Sequence, residues 1–128
     1  MIMKTLCVLF LILATATPAF SQDLIESYVA RLSANDHFNS SGKRLTSPAM
    51  IIRQDRANFH KFFIRDPEDE DDRYFHDANR RELLQKLLER GNTSRDAYRA
   101  IVNGQPLVRV NVYGSRGQAY VDVHILSE

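Results

Sequence analysis

Residues 46–73, TSPAMIIRQDRANFHKFFIRDPEDEDDR, bring apolar, aromatic, basic and acidic side chains closer together than any other part of the chain. The first half reads as a helix. Ser47 is a favoured N-cap, and Pro48 at the first helical position gives up an N–H that would have no partner there. Ala49, Ile52, Phe59 and Phe63 fall close to one face, with Ile51 and Phe62 beside it, so the helix is expected to bury an apolar stripe. Arg53, Arg56 and His60 recur on a neighbouring face. Pro67 is the expected stop, because the residue before a proline is pushed out of helical angles. The second half is acidic, with six acids within 66–72 and basic residues on both sides. A block of this kind most simply folds against its flanks.

Downstream, Asn79 followed by Glu82 has the spacing of a capping box, and Leu83, Leu84, Leu87 and Leu88 form an apolar stripe ending at Gly91. Ser94 caps a shorter helix carrying Ala97, Tyr98, Ile101 and Val102, closed by Asn103 and Gly104. The two helices are expected to pair as a helical hairpin. From Pro106 the period changes to two. Val108, Val110 and Val112 alternate with polar residues, and so do Val121, Val123 and Ile125, which predicts a β-hairpin. A two-residue loop at Ser115 and Arg116 would pair Val110 with Val121 and Val108 with Val123, and would set Arg109 against Asp122. Two strands alone are marginal in water. A short third strand at 73–76 would cover the hairpin edge, or a second copy of the chain would pair there as a homodimer.

Upstream, Leu24, Ile25, Tyr28, Val29 and Leu32 lie at helical spacing, and 33–42 is a loop rich in Asn, Ser and Gly. The fold class is therefore α+β: three to four helices packed on a C-terminal antiparallel β-hairpin in a single small domain.

Lys4, the apolar run 6–14 and the small residues Ala19 and Ser21 have the three-part layout of a secretory signal peptide cleaved after residue 21. Export to the periplasm or the medium follows as an expectation, with 22–128 as the mature domain and no membrane span left in it. Cys7, the sole cysteine, would leave with the signal, so neither disulfides nor thiol chemistry are expected. The chain has 17 basic and 16 acidic residues, and losing Lys4 leaves 16 of each. A neutral domain is a poor nucleic-acid binder, since such binding rests on neutralising phosphates.

No nucleophile elbow, phosphate loop or HExxH zinc motif occurs. The sequence favours a small exported binding or accessory module that docks another envelope or secreted protein. Its expected surface is the helix face of Arg53, Arg56 and His60 with the acids Glu68, Asp69, Glu70, Asp71 and Asp72. One alternative is a metal-assisted or acid–base hydrolase using His60 and the acidic run, with His60–Asp55 or His37–Asp36 as its proton-transfer pair. Another is a structural envelope protein without a ligand. Should the run bind a cation, Ca2+ held by Asp66, Glu68 and Glu70 is the expected choice, because hard cations take carboxylate oxygens.

Overall fold

The computed structural model describes residues 22–128; the expected signal peptide, 1–21, lies outside them. Three strands, β1 (Asp23–Arg31), β2 (Leu107–Ser115) and β3 (Gln118–Ser127), form an antiparallel sheet in the order β1-β2-β3. Three helices, α1 (Pro48–Ala57), α2 (Ala78–Arg90) and α3 (Arg95–Asn103), complete the α+β domain.

Two expectations about the sheet change. The stretch 22–32 is not a helix; Asp23–Arg31 of it form β1. Their apolar positions fit both periods, and the strand period buries Tyr28, Ala30 and Leu32 completely. The hairpin needs a third strand to be stable, so tertiary pairing overrides the local helical spacing. Residues 74–76 form a 3₁₀ turn instead of the expected strand.

The hairpin is as expected in kind but shifted in register. Val108 pairs with Ile125, Val110 with Val123 and Val112 with Val121, and the tight turn falls on Arg116 and Gly117. Both turn residues have positive φ, 50° and 75°. That is the requirement of a type I′ hairpin turn, and glycine meets it at the second position without a Cβ clash. Each partner moves by two residues, so every side chain keeps its face. Asp122 therefore faces Asn111, whose Nδ2 donates to it at 3.0 Å, and Arg109 faces His124.

One sheet face carries Tyr28, Ala30, Val108, Val110 and Val112 into a core shared with Ile51, Ile52, Phe75, Leu84 and Ile101. Burying an aliphatic side chain of this size contributes about 1.5–3 kcal/mol. The opposite face carries a polar ladder in which Ser27 Oγ donates to Asn111 Oδ1 at 2.7 Å.

Helix α1 begins as expected, with Ser47 Oγ accepting from the Met50 N–H. The start of α2 differs. Asp77, not Asn79, is the N-cap, and its carboxylate accepts from the Asn79 N–H at 2.7 Å. A carboxylate also suits the positive end of a helix better than an amide does. Rather than pairing as a helical hairpin, α2 and α3 both pack on α1.

The acidic run lies along the outer edge of β1. Val29 N–H donates to Glu70 Oε1 and Glu70 N–H to Val29 O, both at 2.8 Å. Arg31 N–H donates to Asp69 Oδ1 at 2.9 Å, and its side chain pairs with Glu68. An edge strand presents unpaired N–H groups that invite another strand. Here carboxylates occupy them.

Candidate functional site

Helix α1 does not continue to Pro67. At Asn58 its backbone widens into a π-helical turn, Asn58–Phe62, which closes at Phe63 in the left-handed conformation, φ 55°. Asn58 is fixed from outside, because its Nδ2 donates to Asp36 Oδ1 at 2.9 Å. Its carbonyl accepts from the N–H groups of both Phe63 and Ile64. The wider turn changes which side chains are buried. Phe59 stays in the interior, but Phe63 is 72% exposed, and Phe62 and Ile64 are exposed beside it. The expected stripe therefore stops at Phe59, since a π turn rotates the following residues off the helical face.

The same turn sets His60 into a buried ionic network. His60 Nε2 and Asp72 Oδ1 are 2.8 Å apart, and the same oxygen accepts from Arg56 Nη1, also at 2.8 Å. Asp72 Oδ2 accepts from the Phe75 N–H at 2.6 Å. Arg56, fully buried, also donates from Nε to Asp55 at 2.8 Å and lies over the Tyr28 ring, 3.9 Å from its centroid.

Burial acts on each group. It would push Asp72 up, but the Phe75 N–H, Arg56 and His60 outweigh it and hold the carboxyl below its ordinary range. Burial also lowers His60, which favours the neutral ring. It raises Asp55 despite Arg56 beside it. One buried guanidinium thus bridges two carboxylates, Asp55 and Asp72, at 2.8 Å each.

These positions divide the expected docking residues. Arg56 and Asp72 are buried and the His60 side chain is 1% exposed, so all three act inside the fold. Arg53 donates to Gln85 at 2.7 Å. Glu68, Asp69 and Glu70 are engaged along β1. Asp71 remains exposed. Asp66, Glu68 and Glu70 do not converge as calcium ligands, because Glu68 and Glu70 bind separate groups of β1.

The expected proton-transfer pairs are not formed. His60 bonds Asp72 rather than Asp55, and both His37 ring nitrogens lie 2.7 Å from backbone carbonyls, those of Ser33 and Ile101. Asp36 instead accepts from Asn58 and the Ser33 N–H.

What the sequence did not bring together is His76. Its ring sits against that of His60, with centroids 4.1 Å apart, and Asp71 lies beside it. The two histidines stand sixteen positions apart, which is no motif spacing, and a 3₁₀ turn packed on the π turn creates the meeting. No helix among the described residues is long and apolar enough to cross a membrane. No protein-family model, curated protein or solved structure matches this chain.

Proposed function

We propose that the protein is a small exported accessory module that docks onto another envelope or secreted protein through the knuckle at 61–65. One observation carries this reading: Phe62, Phe63 and Ile64 are three consecutive large apolar side chains held in solvent by a left-handed Phe63. A bulky residue with positive φ costs free energy, and such strain persists where the surroundings impose it, often at functional sites. The left-handed Phe63 closes the turn, its N–H donating to Asn58 O, and leaves its ring outside the core.

Lys61 and Arg65 flank the knuckle, and their charged groups lie over the Phe62 and Phe63 rings at 5.3 and 5.4 Å. The matching surface is a protein groove with apolar walls and an acidic rim. A bare anionic lipid surface fits less well, because Glu68 and Asp71 present exposed carboxylates on the same acidic run and would be repelled by it. Export rests on the layout of residues 1–21. The acid–base form of the hydrolase alternative draws less support, since neither expected proton-transfer pair is assembled.

A photo-crosslinking residue placed at position 63 in the producing cell tests the proposal, with position 98 as an exposed control. A single discrete adduct is expected from position 63, lost when Lys61 and Arg65 are changed to Glu. The identified partner, once purified, should bind the unaltered protein and not Phe63→Asp. Equal adducts from both positions would overturn the docking surface. So would sedimentation with anionic vesicles that depends on Phe63, or self-association that accounts for the adduct.

A further inference from the structure

Beside the docking knuckle lies a second feature that docking does not use. One ring nitrogen each from His60 and His76 and a carboxylate oxygen of Asp71 lie within 4.8 Å of one another. His76 and Asp71 are exposed, with side chains 60% and 73% accessible, whereas the His60 side chain is 1% exposed. His60 therefore provides a fixed wall, and two adjustable side chains close on it from solvent.

The state of the His60 ring decides what it can do there. Nε2 is committed to Asp72 Oδ1, while Nδ1 is buried and has no hydrogen-bond partner among the described residues. A neutral ring with its proton on Nε2 leaves the Nδ1 lone pair unclaimed, whereas a charged ring would strand an N–H in the interior. Metal-binding histidines characteristically donate the other ring N–H to a carboxylate, which orients the ring and strengthens it as a ligand. Asp72 has that position, and it is itself held by Arg56 and the Phe75 N–H.

We propose that His60, through Nδ1, together with His76 and Asp71, binds one divalent cation of the zinc type, with Asp72 as the outer partner that orients His60. Two imidazoles and one carboxylate suit zinc and its first-row neighbours. Calcium, which takes six to eight oxygens, does not fit. Tetrahedral zinc with ligand bonds of about 2.0–2.1 Å needs donor atoms about 3.3 Å apart. His76 Nε2 and Asp71 Oδ1 are now 3.9 Å apart. The closing movement is therefore below an ångström for that pair, and it falls on the two more accessible side chains of the three. Three protein ligands leave the fourth position open, facing away from the buried His60.

Calorimetric titration of the purified protein with zinc, without an affinity tag that carries histidines, tests the assignment. One equivalent should bind. His76→Ala and Asp71→Asn should each weaken binding by at least about tenfold, since losing even an outer-shell partner typically costs 10–100-fold. Both substitutions are at exposed positions, and melts in chelator should match the unaltered protein. The surface pair His124–Asp122, 3.2 Å apart, is the control, and His124→Ala should leave affinity unchanged. Millimolar calcium should not displace the zinc. On binding, the His60 Nδ1 resonance in a ¹⁵N-detected spectrum should move from that of a free lone pair to that of a ligated nitrogen. Undiminished binding in both His76→Ala and Asp71→Asn overturns the site. An equal loss in His124→Ala, displacement by calcium, or an unmoved His60 resonance does so as well.

Discussion

Two adjoining parts of the central helix follow opposite rules. The ten residues of α1 obey local chemistry: a Ser–Pro cap starts them, and Ile51 and Ile52 disappear into the core. The six that follow, Asn58 to Phe63, depart from the α-helical ladder, end in a left-handed aromatic, and push Phe62 and Phe63 into water. The first part supplies stability. The second carries both candidate functions, because the wider turn places His60 against Asp72 and His76 while it exposes the knuckle. An α-helix run through the same residues would keep the Phe59 stripe going and would lose both.

This contrast can be broken by substitution. The largest effect is expected from Arg56→Ala, which removes the counter-ion of buried Asp72 and the cation lying over Tyr28 and Phe59. Losing one partner of a buried ion pair typically costs about 3–5 kcal/mol. Urea unfolding should show a loss of that order, and a loss below about 1 kcal/mol would mean that the network is not what joins the two parts.

A smaller, pH-dependent effect is expected at the joint itself. Burial raises Asp36, which holds Asn58, from 3.8 to about 7. A raised acid stabilises the fold fully below its unfolded value. That contribution is lost as pH rises through the folded one. Asp36 should therefore make stability fall between about pH 3.8 and 7, and Asp36→Asn should flatten that slope in chemical unfolding measured across the range. Asp72 works in the other direction. Its lowered carboxyl contributes above the usual carboxylate range and loses that contribution as pH falls below it. An unchanged slope in Asp36→Asn would remove Asp36 as the titrating brace.

The smallest effect should have the opposite sign. Phe63→Gly relieves the left-handed strain at a residue with little packing to lose, and should raise stability by about 0.5–1 kcal/mol in the same unfolding assay while abolishing docking. Destabilisation by Phe63→Gly would show that the exposed ring is a packing element.

Ser47, Pro48, Ser94 and the valine alternation could be read correctly from the chain because each signal acts within one turn or one strand. Caps satisfy neighbouring N–H groups, and period two sorts faces whatever the partner strand does. Even the hairpin turn was legible to within a residue, with Gly117 marking where positive φ is tolerated. Of the candidate sites, His60 and the acids Asp71 and Asp72 stood out as residue types, but their partners did not. His76 carries no spacing signal, and the uptake of Glu68, Asp69 and Glu70 by the β1 edge could not be foreseen while 22–32 read as a helix.

The sequence by itself determined where α1, α3 and the C-terminal hairpin begin, which hairpin face is apolar, and that the acids must be answered by something nearby. Only the tertiary structure decided that 23–31 is a strand, since the apolar spacing there satisfies two periods and the unpaired edge of β2 selects one. Only it decided that the central helix opens at Asn58, because the brace comes from Asp36, twenty-two residues away. Local chemistry fixes the conformations a segment can hold at low cost. Long-range hydrogen bonds and burial choose among them, and in this protein that choice made both candidate sites.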